Sequence, residues 1–188
     1  LVRSLLRVFS GAFNTKNDFG HFEHINRVLG PEDALKAVAL TNEYIAKEHG
    51  EDGMFVTLVF GTIDTVTGEM LYINSGHEPV MVIGKNGIKQ TLKPTGPALG
   101  PIMDAKYIME SLQLEKGDIL FSYTDGVTEA RSESKQFFTR PRLEKTVNQG
   151  FDCKAASFLE TVKTDLFSFI GNAPQSDDIT MMAIKWQG

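Results

Sequence analysis

Along this chain the apolar positions keep a helical period at the start, a strand period in the middle, a helical period again after it, and a strand period at the close. Val2, Leu5, Leu6, Phe9 and Phe13 fall near one helical face with no capping residue before them, so the chain is expected to begin inside a longer helix. Residues 14 to 30 are polar and glycine-dotted. Pro31 to His49 predicts a second helix. Pro31, Glu32 and Asp33 suit its first turn, Leu35, Val38, Asn42 and Ile45 form a buried stripe, and Gly50 stops it. The period then shortens. Residues 55–63 open with the run Phe55-Val56-Thr57-Leu58-Val59-Phe60, which predicts a strand covered on both faces. Met70 to Asn74 returns after the Thr65-Val66-Thr67-Gly68 turn as the second arm of a hairpin. Pro79 to Ile83 and Ile88 to Leu92 pair around Asn86-Gly87.

Lys93 to Asp104 holds three prolines and two glycines, which predicts an ordered loop rather than a helix, because proline lacks the amide donor. Tyr107 to Leu114 and Ile119 to Thr124 are two more strands. Helices follow at about 137–149 and from Lys154 to Ile170, and a closing strand runs from Ile179 to Trp186. Hairpin-linked strands with helices grouped before and after them define an α+β fold in which helices cover stacked antiparallel sheets. No repeat, low-complexity tract or linker divides the chain, so residues 1–188 are expected to form a single domain.

Composition narrows the chemistry. A net charge of −5 argues against a nucleic-acid partner. No apolar run approaches the ~18 residues that a bilayer-spanning helix needs. The single cysteine, Cys153, excludes an intramolecular disulfide and cysteine-based zinc sites, and it fits a reducing, cytoplasmic setting.

Two acidic stretches carry the candidate chemistry. Asp125 follows the apolar run Ile119-Leu120-Phe121-Ser122-Tyr123, and Gly126 is expected to turn the chain sharply. Asp177-Asp178 opens the closing strand. Carboxylates at the ends of two core strands can converge on one point, and hard divalent cations take oxygen ligands held in that way. That is half of a metal site. Taken singly, Thr124-Asp125-Gly126 also reads as a turn, Asp177-Asp178 as a solvated strand cap, and Asn74-Ser75-Gly76-His77-Glu78-Pro79 as a connection between strands. His21 and His24 have the spacing of one helical face but no fixed acidic partner, and read as solvated histidines. Asp18-Phe19-Gly20 lacks every other element of a kinase site.

The order of the motifs is more specific than any one of them. Phe55-Val56-Thr57, Tyr72-Ile73-Asn74-Ser75-Gly76-His77-Glu78-Pro79, Gly96-Pro97-Ala98-Leu99-Gly100, Gly117-Asp118 through Thr124-Asp125-Gly126-Val127-Thr128-Glu129, and Asp177-Asp178-Ile179-Thr180 succeed one another. Together they resemble the metal-dependent protein serine/threonine phosphatases (PPM, or protein phosphatase 2C-like), in particular the bacterial sporulation stage II E and sigma-regulator branch. The resemblance covers the chain from about residue 30 to its end. It implies an antiparallel β-sandwich flanked by helices, an α-β-β-α stack, with two Mn²⁺ or Mg²⁺ ions. It implies that Asp125 and Asp177 are catalytic metal ligands, with Asp178 beside them. It also implies metal-activated water attacking a phosphoserine or phosphothreonine, with no covalent phosphoenzyme.

One departure stands out. The family's Asp-x-x-Gly-x-Gly motif, whose aspartate bridges the two metals, has no counterpart here, and Asp52-Gly53 sits between a helix and a strand. The chain is therefore expected to be a phosphatase domain without its N-terminal strands and first aspartate motif. The implied partner is a phosphorylated protein, in this branch an anti-sigma-factor antagonist, with a sensor domain upstream. Three readings follow: an enzyme, a pseudophosphatase that holds a partner without hydrolysis, and an α+β domain with no metal. An Asp-x-x-Gly-x-Gly motif upstream of Leu1 separates the first from the second.

Overall fold

The computed structural model describes residues 30–188, which form two compact units. The first comprises the described residues up to Thr62, with Leu71–His77 and Pro94–Ser111; the second comprises Ile63–Met70, Glu78–Lys93 and Leu112–Gly188. The expected helix over Leu1–Phe13 and the pair His21 and His24 lie outside the described residues. Among the described residues, no helix is long and apolar enough to cross a membrane.

The first unit is organised by α1 (Pro31–His49). Asp33 accepts a hydrogen bond from the Gly30 amide, and Lys47 and His49 sit in the last turn, so charge complements the helix dipole at both ends. Ala34, Ala37, Val38, Thr41, Asn42 and Ile45 are buried, a stripe at 3.6-residue spacing. Ala37, Val38 and Ile45 form a core with Ile73 and Leu99, and Leu58 and Phe60 pack against it. Asn42 is fully buried and fully used. Its amide donates to the carbonyls of Ile102 (2.9 Å) and Met103 (2.8 Å), and its oxygen accepts from Gly100 N–H (2.9 Å). This ties the Lys93–Asp104 segment to the helix, and the segment is an ordered loop with no helix in it, as its prolines predict.

One sheet has the order β1-β2-β5, from β1 (Leu58–Ile63), β2 (Glu69–Ser75) and β5 (Glu110–Gln113). The apolar run of residues 55–63 predicts a strand covered on both faces and deeply buried, and the structure corrects this. Among the described residues β1 is an edge strand, mostly half-buried, and Phe55 is 62% exposed. The run is apolar, but its burial depends on what covers it, and the central β2 takes that place. β5 is also shorter than the expected Tyr107–Leu114, because Ile108 N–H bonds to Thr95 O in the loop instead of joining a ladder.

The second unit holds the antiparallel sheet β4-β3-β6-β7, built from β3 (Val80–Gly84), β4 (Gly87–Leu92), β6 (Ile119–Tyr123) and β7 (Met181–Lys185). Met81 pairs with Phe121, and Tyr123 with Met181. One face of the sheet presents Met81, Ile83, Ile119, Phe121 and Tyr123 to α3 (Arg140–Val147) and α4 (Ala155–Ile170). Phe158, Val162, Leu166 and Ile170 are the buried stripe of α4, and Phe158 meets Phe121 edge-on with ring centroids 5.1 Å apart. β6 is buried as expected, while β7, an edge strand among the described residues, exposes Met182 and Ile184. The α+β class with antiparallel sheets is therefore as the sequence predicts.

Candidate active site

The last rung of the β6–β7 ladder is extended by a side chain. Thr124 follows β6, and its amide donates to Thr180 O (3.0 Å). Its hydroxyl accepts from Thr180 N–H (3.0 Å) and donates to Asp178 O (2.8 Å). One threonine thus fastens the segment before β7 to the start of the Asp125 segment.

Asp125 does not enter a sharp turn. It opens a one-turn helix, α2 (Asp125–Thr128), closed by Glu129 N–H to Asp125 O at 2.8 Å. Gly126 is needed there for space. A Cβ on it would stand 2.4 Å from Asp178 O and 3.5 Å from the Asp177 carbonyl carbon. The glycine lets the backbone of Asp177-Asp178 lie directly against the residue after Asp125. The expectation that Gly126 turns the chain is corrected accordingly.

Asp125, Asp177 and Asp178 are all exposed. Asp125 Oδ1 accepts from Gly126 N–H (3.0 Å), and Asp177 Oδ1 accepts from Asp178 N–H (2.7 Å). Gln175 braces the second segment by donating to Asp177 O (2.7 Å). Each of these two aspartates thus has one oxygen steered by a neighbouring amide. Acidic side chains on abutting segments, with no lysine or arginine paired to them among the described residues, form an anionic all-oxygen donor set. Such a set fits a hard divalent cation better than it fits zinc or copper. Among the described residues no group of three or more acidic, histidine or cysteine side chains gathers at metal-binding distance.

Other acids and loops of the sequence motifs serve the fold. Asp118 is 3% exposed, receives Lys89 Nζ at 2.9 Å and accepts Glu115 N–H at 2.9 Å. Asn74 Oδ1 accepts His77 N–H (2.9 Å), and Gly76, at φ +67, leaves room for the backbone of Ala98, so this stretch is a braced connection between strands. The hairpin after α2 was missed in the sequence. Residues 130–139 run out and back, with Arg131 bridged to Phe137 and Phe138 N–H bonded to Ala130 O (2.8 Å). The sequence pattern places Phe137 and Phe138 at the start of a helix. They form the returning arm instead, and the helix begins three residues later.

The mixture of helices and antiparallel sheets is that of the PP2C-type phosphatase fold. Residues 10–187 match the family model of Stage II sporulation protein E (SpoIIE), and the chain belongs to that family. Protein IcfG of Synechocystis sp. (strain ATCC 27184 / PCC 6803 / Kazusa) is 44% identical over 194 residues, covering 98% of this chain and 30% of IcfG. Phosphoserine phosphatase RsbU of Bacillus subtilis (strain 168) is 26% identical over 142 residues, covering 75% of this chain and 42% of RsbU. The chain thus spans less than half the length of either relative. The SiaA-PP2C domain of Pseudomonas aeruginosa superposes with a TM-score of 0.76 at 16% identity, over 100% of this chain and 68% of that one, a likeness of fold.

Proposed function

We propose that this chain is the phosphatase domain of a larger bacterial signalling protein that hydrolyses phosphoserine or phosphothreonine on a protein partner in the cytoplasm. A phosphorylated anti-sigma-factor antagonist is the partner class implied by the family branch. The observation that carries the reading is the meeting of two acidic segments at Gly126, fastened by Thr124. Asp125 and Asp177 are the residues that would hold Mn²⁺ or Mg²⁺, with Asp178 beside them, and further ligands of a two-metal site would come from outside the described residues. Bound there, such a cation would supply Lewis acidity toward a phosphoryl oxygen and acidify a water. The chain's own contribution is preorganisation: Thr124 and Gln175 hold the two segments, and neighbouring amides fix one oxygen of each aspartate.

The test uses the full-length protein. Asp125→Asn and Asp177→Asn remove ligand charge with little change of shape. Each is expected to lower Mn²⁺-dependent release of phosphate from a phosphoserine peptide by about a hundredfold or more, since metal stabilisation is worth several kcal/mol. Thermal unfolding should be unaltered. Near-normal turnover in both variants would overturn the assignment. A pseudophosphatase is the second reading, favoured by the absence of a third ligand among the described residues. It predicts peptide binding without turnover in the unsubstituted protein.

A further inference from the structure

We propose that Arg131, whose guanidinium lies over the Phe137 ring, is the cation by which this site grips the phosphoryl group of its substrate. The inference rests on the phosphatase reading above and adds a residue to it. Arg131 stands six positions after Asp125, on the outgoing arm of the hairpin that leaves α2. Its guanidinium carbon lies 4.8 Å from the centroid of the Phe137 ring. Phe137 is itself 47% exposed. Stacking occupies the face of a guanidinium and leaves its edge, the fork of N–H donors that matches phosphate, open to a ligand.

Three observations single this arginine out. The first is its lack of an anion. Arg140 is paired with Glu144 at 2.7 Å and Arg142 with Asp165 at 3.5 Å, whereas Arg131 has no carboxylate partner among the described residues. The second is the rigidity of its support. Ser132 N–H bonds to Gln136 O (2.9 Å), Phe138 N–H to Ala130 O (2.8 Å) and Thr139 N–H to Thr128 O (2.8 Å). These bonds hold Thr139 at φ +68, a conformation that a β-branched residue adopts only when its surroundings impose it. The third is where the hairpin is anchored. Its root is α2, which Asp125 opens. Near its tip, Glu133 Oε1 accepts Asn172 N–H at 2.9 Å, on the segment that runs on to Asp177. The hairpin therefore spans the two segments that carry the aspartates. A phosphate dianion approaching three carboxylates in a chain of net charge −5 needs fixed positive charge, and Arg131 is a preorganised source of it.

The experiment uses the full-length protein with p-nitrophenyl phosphate as substrate and inorganic phosphate as competitive inhibitor. Arg131→Ala is expected to raise both KM and the phosphate Ki about tenfold, the value of one charge-assisted contact, with kcat within about threefold. Arg131→Lys should fall between, because it keeps the charge and loses the fork. Phe137→Leu should shift Ki in the same direction by a smaller factor. An unchanged Ki in Arg131→Ala would overturn the proposal, and if that variant does not fold, an unchanged Ki in Arg131→Lys does so. If the unsubstituted protein shows no turnover, the phosphatase reading fails separately. Phosphate binding read by ³¹P line broadening with Mg²⁺ then decides the role of Arg131, and equal binding by Arg131→Ala and the unsubstituted protein overturns it.

Discussion

At Gly126 a methyl group has no place to go. Its Cβ would meet Asp178 O at 2.4 Å, a backbone atom that cannot swing aside. Gly126→Ala must therefore push apart the segments that carry Asp125 and Asp177. We expect a loss of about 1–3 kcal/mol in stability from overpacking. We also expect about a hundredfold loss of phosphatase activity in the full-length protein, the scale of a misplacement of about 1 Å. Denaturant titration and peptide turnover measure the two, and an Ala variant with normal activity would contradict the close approach. The residue types at this site were legible in the sequence because carboxylates and glycine announce themselves. The reason for the glycine was not. Asp-Gly reads as a turn by local chemistry, whereas here the constraint comes from a strand end more than fifty residues later in the chain. Arg131 gave no signal of its own, since an arginine in a polar stretch is ordinary until its lack of a partner is seen in space.

Among the elements, α4 shows how far periodicity reaches. Phe158, Val162, Leu166 and Ile170 recur every four residues and all are buried. Phe158 packs edge-on against both Phe121 (5.1 Å) and Phe151 (4.8 Å) and has no exposed surface. Phe158→Ala should cost about 3–5 kcal/mol through lost burial and the cavity left behind. Urea unfolding checks this, and a cost below about 1 kcal/mol would show that helix and sheet are not tightly packed there. The strand over residues 55–63 marks the limit of the same reasoning. Its apolar run gives a strand, but one of its edges has no partner among the described residues, and its side chains are only half-buried. The hairpin at 130–139 is a second limit. Phe137 and Phe138 have no helical or strand periodicity around them, and a bridge from Arg131 to Phe137 decides their conformation.

For the whole molecule, three tyrosines couple stability to alkaline pH. Burial pushes Tyr107 and Tyr123 up to about 12, with the Glu78 carboxylate adding to the effect at Tyr123. Burial also raises Tyr72, whose hydroxyl donates to Glu110 Oε2 at 2.5 Å. In the unfolded chain each ionises near the ordinary value of 10.0. Between pH 10 and 12 the unfolded chain therefore sheds protons that the folded protein retains, so stability is fully present below pH 10 and falls as pH rises. The urea midpoint should be flat from pH 8 to 9.5 and decline above 10. Tyr123→Phe should shallow the decline by up to about 1.4 kcal/mol per pH unit. An identical slope in that variant would refute the assignment to Tyr123. The sequence by itself determined most of the element types, the α+β class and the family, because period, turn chemistry and motif order are local properties written along the chain. Tertiary structure alone decided which strands are central, why Gly126 is glycine, and which arginine keeps its charge unpaired. Those depend on residues far apart in sequence being brought within a few ångströms of one another, and no local pattern encodes that distance.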